Sequence, residues 1–315
     1  MWRKPATSPS DKPNPLLQSS GMGRAAFRDA VISALLKIAG STSILVVLLI
    51  FFFIAKEAAP FLMGSQAKTL LNLRWLPVSF ENESYGLLPL LNGSLLVTAI
   101  ATLITVPLSV CTAVYLSEVS NDWEKNFLKP FIELLAGIPS VVIGFFGLVV
   151  LSPLIKSVFG LPSGMNALTG GLLLALMAAP TIISISEDAL RSVPASFKSA
   201  SLALGASHLE TVWKVTVPAA LPGITAAVML GIGRVVGETM TVLMVIGNAP
   251  ILTASPLESV RTMTATIAAE MGEVPFGSEH YHALFCVGVV LLLATFCLNL
   301  VARFILKKYR MVGSV

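Results

Sequence analysis

Arg234 and Glu238 stand four residues apart in the stretch 221–247, which is otherwise free of charge and long enough to cross a bilayer. A charge in hydrocarbon costs about 2.5 to 3.5 kcal/mol on the insertion scale, so such residues face a protein interior or a watered path. On a continuous helix the two share one face, one turn apart. The arginine fork matches the geometry of a carboxylate, sulfate or phosphate. Together they spell reversible capture of an oxyanion, with Glu238 pairing Arg234 when the anion is absent and weakening its grip enough for release. The alternative is a structural ion pair that staples two helices.

Other residues would serve the same path. Thr239 and Thr241 add hydroxyl donors just beyond the pair. Gly233 and Gly237 make a small-xxx-small step that admits another helix close to the backbone, which turns Arg234 and Glu238 toward a helix interface. Pro139 removes a helical hydrogen bond within an apolar run, so a kink or broken helix is expected there. Irregular backbone is tolerated in a membrane only where protein or water covers it, which places Pro139 beside the path. Glu133, three residues after Pro130, lies near the membrane face and reads as a snorkelling or helix-start carboxylate, not a substrate ligand.

The elements that position these residues are membrane helices. Of 315 residues, 55% are hydrophobic and 12% charged, about half the charged share of a soluble chain. Six apolar spans emerge, at about 38–55, 88–116, 131–155, 167–185, 219–247 and 283–304. The first follows a mostly polar tail, unlike a cleaved signal peptide, so it is expected to be retained. Most of the 21 basic residues fall on one side of these spans. They lie in the N-terminal tail, after the second and fourth spans, and at the C-terminus. Positive-inside bias then puts both termini in the cytoplasm, and the net charge of +4 reflects topology instead of nucleic-acid binding.

The cytoplasmic segment 194–218 has its own pattern. Pro194 suits a first helical turn, and Phe197, Ala200 and Leu204 recur at helical spacing. Gly205 ends that helix, Ser207-His208-Leu209-Glu210 reads as a capping box opening a second, and Pro218 is expected to stop it. Leu209, Val212 and Trp213 supply its apolar face. Two short amphipathic helices at a bend form a knob suited to a groove on a partner, or else lie on the lipid surface.

Other chemistry is thinly represented. Cys111, Cys286 and Cys297 fall inside spans at no metal-ligand spacing. Glu279, His280 and His282 cluster at the outer edge of the last span, where interfacial polarity is a better account than a metal. No H-E-x-x-H and no G-x-x-x-x-G-K-[ST] is present, so this chain carries no P-loop of its own.

The register of Ser199-Ala200-Ser201, Gly205 and Val215-Thr216-Val217-Pro218 resembles the EAA loop of ABC-transporter permeases, with Ser199 where that family has Glu. The run 133–140 (Glu-Leu-Leu-Ala-Gly-Ile-Pro-Ser) with Gly144-Phe145-Phe146-Gly147, and the run 231–240 with Gly247-Asn248, resemble the signatures of phosphate ABC permeases. The Gly-Arg-x-x-Gly-Glu-Thr-Met wording favours the PstC family over its PstA paralogues. Tyr85-Gly86 and the bend at Val106-Pro107-Leu108 fit as well, and the likeness covers about residues 85–305.

The resemblance implies an all-α, six-helix permease of the MetI-like importer fold. Residues 1–28 would be a disordered tail, 29–85 the first span and external loop, 86–305 the permease core, and 306–315 a second tail. It implies a path through Arg234, Glu238, Thr239, Thr241 and Pro139, and ATPase coupling through Phe197, Ser199, Ala200, Gly205, Trp213 and Pro218. Its partners would be a second permease, two ATPase subunits and an extracytoplasmic phosphate-binding protein. ATP and magnesium would reside on the ATPases, with no cofactor in this chain. The segment 261–270 would dip back toward the path or lie as a plain surface helix. Two other classes stay open. One is import of sulfate, molybdate or phosphonate, and the other a proton-coupled secondary transporter. A membrane enzyme using Glu133 or Glu238 as a base lacks any accompanying nucleophile or ligand set.

Overall fold

The structure, a computed structural model, describes residues 15–79 and 83–310, with side chains from 27 to 301 and at 304. Among the described residues six helical stretches are long and apolar enough to span a membrane. The chain is a multi-pass membrane protein. Its contacts divide it into two units, 1–54 and 55–315.

Helix α1 spans Pro15–Met63. Pro15 occupies its first turn, where a missing N–H is harmless. Residues 1–14 of the expected tail lie outside the described residues, but 15–28 are helical, because Leu16, Leu17, Gln18 and Arg24-Ala25-Ala26 favour helix upstream of the apolar run. In the first unit the apolar side chains of this helix, such as Leu48, Leu49 and Phe52, are exposed all round. That is the surface a helix presents when lipid is its solvent.

In the second unit the end of α1 is followed by a 3-10 helix (Ser65–Leu71) and a small hairpin, β1 (Trp75–Leu76) antiparallel to β2 (Ser84–Tyr85), with Trp75 opposite Tyr85. Helix α2 (Leu88–Val114) runs on through a wide π turn, Tyr115–Val119. Then follow α3 (Asp122–Gly137), α4 (Ser140–Phe146) and α5 (Ser152–Phe159), the last two joined by the π turn Gly147–Leu151. Helix α6 (Ala167–Arg191) is the most enclosed of the spans. Its Leu173, Leu174, Met177, Ala178 and Ile182 share one core with Val97 and Ala101 of α2. Helices α7 (Ala195–Ala203) and α8 (His208–Thr211) form the knob, and α9 (Val217–Gly237), α10 (Met240–Val245), α11 (Met263–Glu270) and α12 (Glu279–Arg310) complete the chain.

Three expected boundaries move. The third span begins at Ser140 and not near 131, because Pro139 forces Ile138 into extended backbone (ψ 127°) and α3 ends at Gly137. That helix starts at Asp122, with the Glu124 carboxylate accepting from the Asn121 N–H, so Glu133 lies well inside it and is not a helix-start residue. Pro218 does not stop the second knob helix. The π turn Val212–Thr216 precedes it, Pro218 falls in the first turn of α9, and helix is continuous over His208–Gly237. An i→i+5 turn absorbs the missing proline donor without ending the rod.

The fifth span also ends early. Glu238 is extended (φ −72°, ψ 133°), which separates α9 from α10. Close packing of α9 on α6 uses Gly231, where an added Cβ would lie 2.4 Å from Ile182 Cγ1. At Gly233 and Gly237, the pair singled out by spacing, an added Cβ would meet no described atom within 4 Å, and Gly233 borders a gap before Thr295 and Asn299 of α12.

Candidate functional site

Arg234 belongs to the last turn of α9, where a cation also complements the helix dipole. Its Nη1 donates to Thr181 Oγ1 of α6 at 3.4 Å, a long bond that leaves most of the guanidinium free to serve another acceptor. The side chain lines a crevice with Leu174, Met177, Ala178, Val235 and Glu238.

Glu238 does not pair with Arg234. The helix break turns its carboxylate toward α10, where Oε1 accepts from the Thr241 N–H at 3.2 Å. No ion pair joins the two residues among those described. The expectation of one helix face fails because a residue in extended conformation interrupts the 3.6-residue period. What survives is a narrow apolar crevice that both residues border, with the Arg234 side chain itself exposed.

The two threonines part company. Thr239 is half-buried, its hydroxyl 3.4 Å from the Gly237 carbonyl. Thr241 is fully buried and donates to the Ser140 carbonyl at 2.9 Å, so it joins α10 to the start of α4 and offers nothing to a passing anion. Pro139 is exposed at the break just before Ser140, so the broken third span meets the broken fifth through this bond.

A second crevice adjoins the first through Leu174, Val235 and Glu238, and is lined by Ser94 and Thr98 of α2 with Thr262 and Thr264. Sequence reasoning missed these hydroxyls. The Thr264 hydroxyl donates to the Glu238 carbonyl at 3.0 Å, and Ser94 Oγ accepts from the Met263 N–H at 3.0 Å. Segment 261–270 is therefore no surface helix. Met263, Thr264, Ala265 and Thr266 are buried, and Thr262 caps α11 by accepting from the Ala265 N–H. A signal existed, since Ser94 and Thr98 are four apart on one face of α2.

Glu270, at the far end of α11, is clamped by Arg261 (2.8 Å), His280 Nε2 (2.8 Å) and the Trp75 indole N–H. His280 is thereby committed to Glu270, and His282 Nδ1 lies 2.7 Å from the Glu57 carbonyl. Nearby, burial and the Glu83 carboxylate push the Tyr85 phenol above its ordinary pKa. The cluster fixes the far end of α11, whose first turn lines the second crevice.

At the opposite end, Phe197, Ser199, Ala200, Gly205, Trp213 and Pro218 are all exposed. Gly205 has φ +87°, a conformation that suits glycine, and it turns the chain between α7 and α8. Ser207 and Glu210 form the anticipated capping box. The expected apolar face divides, with Leu209 and Trp213 exposed and Val212 buried in one core with Ala113 and Ile183. The Ser199 hydroxyl donates back to the Ala195 carbonyl, so it does not replace the missing acid. Because helix is continuous over His208–Gly237, the knob and Arg234 sit on one rod on the order of 45 Å long.

The family described as "Binding-protein-dependent transport system inner membrane component" matches residues 105–311. The chain is 40% identical over 274 residues to the probable ABC transporter permease protein YqgH of Bacillus subtilis, covering 86% of this chain and 87% of that one. It is 37% identical to the phosphate transport system permease protein PstC of Xylella fastidiosa (74% and 76% covered). It is 32% identical to PstC of Haemophilus influenzae (90% and 95%). Among solved structures, the inward-facing MetNI methionine ABC transporter aligns with TM-score 0.56 at 19% identity, covering 69% of this chain and 93% of that one. A bacterial alginate ABC transporter aligns with TM-score 0.59 at 12% identity (93% and 98%), which shows the shared fold.

Proposed function

The chain belongs to the binding-protein-dependent transport system inner membrane component family, and we propose that it is a permease subunit of an ATP-driven phosphate importer. It is a transport component and not an enzyme. The observation that carries the mechanism is Arg234 and Glu238 facing one crevice at the end of a rod that begins in the cytoplasmic knob. Arg234 offers the anion charge-assisted hydrogen bonds. Glu238 opposes it with a negative charge, which keeps binding weak enough for release. Phosphate at neutral pH carries a proton, so a carboxylate can also accept a hydrogen bond from it. Ser94 and Thr98 add hydroxyls along the adjoining crevice.

The knob docks an ATPase subunit, and nucleotide-driven movement there tilts or shifts the His208–Gly237 rod to alternate access. Gly233 and Gly237, open within this chain, offer a second, PstA-like permease a close approach beside Arg234. Two PstB-like ATPases and a PstS-like binding protein complete the assembly. The basic residues place both termini in the cytoplasm.

The test is uptake of labelled phosphate by the assembled complex in vesicles. Uptake should require internal ATP, survive collapse of the proton gradient, and resist excess sulfate or molybdate. Uptake that follows the proton gradient and ignores ATP would assign the chain to secondary transport. Equal competition by sulfate or molybdate would assign a different cargo.

A further inference from the structure

Glu118 lies in the π turn that ends α2, and Lys198 lies in α7 of the knob. Lys198 Nζ is 2.7 and 2.8 Å from the two Glu118 oxygens, and the Ser117 hydroxyl adds a third donor at 2.9 Å. Glu118 is 5% exposed and Lys198 30%. A buried carboxylate stripped of its cation is strongly unfavourable, so the two side chains move as one. A gripped, largely desolvated pair is stiff where a surface pair would yield.

We propose that this pair is a transmission link, by which the knob drives α2 as well as α9. The proposal rests on the reading of the knob as the ATPase-docking element. Helix is continuous over Leu88–Val119, so Glu118 sits at one end of a rod whose other end carries Ser94 and Thr98. Those hydroxyls line one wall of the crevice, and Glu238 lines another. Arg234 rides on the second rod, His208–Gly237. The knob's two helices are themselves joined by Ser201 Oγ and Thr211 Oγ1, 2.9 Å apart. One displacement of the knob therefore reaches both walls: the Arg234 side through backbone, and the Ser94–Thr98 side through Lys198 and Glu118. Without the ion pair α2 loses its polar tie to the knob and is left with apolar packing, Ala113, Val114 and Leu116 in one core with Val212, Ala220 and Ile224.

The experiment uses the full complex, with the extracytoplasmic binding protein, in liposomes. Lys198→Glu, Glu118→Lys and the double exchange are compared for ATPase co-purification, ATP hydrolysis and phosphate moved per ATP. Each single variant should retain the ATPase and hydrolyse ATP while phosphate per ATP falls about tenfold, the scale of a coupling energy of one to two kilocalories. The exchange should recover most of it. Because reversal can leave two like charges buried, a fourth variant, Lys198→Met with Glu118→Leu, removes the pair without stranding a charge. It should fold, bind ATPase and be uncoupled. Normal phosphate per ATP in that variant overturns the link. Loss of ATPase from the single variants would make the pair a docking staple and overturn the link, whereas an ATPase that stays bound to Gly205→Pro would count against the knob reading on which it rests.

Discussion

Arg234 sits in the last turn of α9, the Glu238 carboxylate accepts from the Thr241 N–H at the start of α10, and the two border one crevice without forming an ion pair. The consequence is a cation already open to an anion, with a carboxylate held off by its bond to the Thr241 N–H. An arginine locked to glutamate would have to be released before each transport event.

Glu238→Gln keeps an oxygen for the Thr241 N–H but removes the charge. Uptake should fall by roughly tenfold or more, the worth of one charged hydrogen-bonding group, with the complex intact. Glu238→Ala should in addition lose the cap and about 1 kcal/mol of stability. Initial uptake rates and thermal unfolding in detergent separate the two effects, and identical behaviour of Gln and wild type would remove Glu238 from the path.

Thr241→Val tests the reassignment of that hydroxyl. It removes the bond to the Ser140 carbonyl and should cost about 0.5–1.5 kcal/mol of stability. Uptake per correctly folded complex should be unchanged. A large transport defect in a stable protein would return Thr241 to the anion path.

The glycines divide by what they touch. Gly231→Val drives side-chain atoms into Ile182 and should destabilise the chain by about 1–3 kcal/mol through overpacking. Gly233→Val meets open space within the chain, so stability should hold while co-purification of the second permease drops. Reading both in one co-purification and melting experiment checks the assignment of faces.

How much of this was legible follows from what each feature depends on. The six spans and the knob were visible because length, apolar run and Gly or Pro punctuation act locally. The break at Glu238 was not, since the apolar run continues to Gly247 and no proline interrupts it. Its only trace is Gly237 followed by Glu and Thr, residues suited to a helix end and a new start. Pro218 misled in the opposite sense, because a π turn can absorb a proline that a plain α-helix cannot. Pairs such as Lys198 with Glu118, 80 residues apart, carry no local signal at all. Likewise Lys125, Lys129 and Arg191 all surround the buried Glu187, which only the tertiary fold reveals.

Gly205→Pro addresses docking. The native φ of +87° is unreachable for proline, and the bond from the Gly205 N–H to the Leu202 carbonyl is lost. The local cost should exceed about 1 kcal/mol, confined to the exposed turn. The permease should still insert and melt normally, while ATPase co-purification is abolished. Retention of the ATPase would show that the knob is not its seat.

The account stands most directly on phosphate uptake by assembled complexes carrying Arg234→Ala or Arg234→Lys. Alanine should abolish uptake with the complex intact, and lysine, a point charge without the fork, should restore only part of it. Wild-type uptake in the alanine variant would leave Arg234 as a helix-end cation bonded to Thr181 and would contradict the anion path.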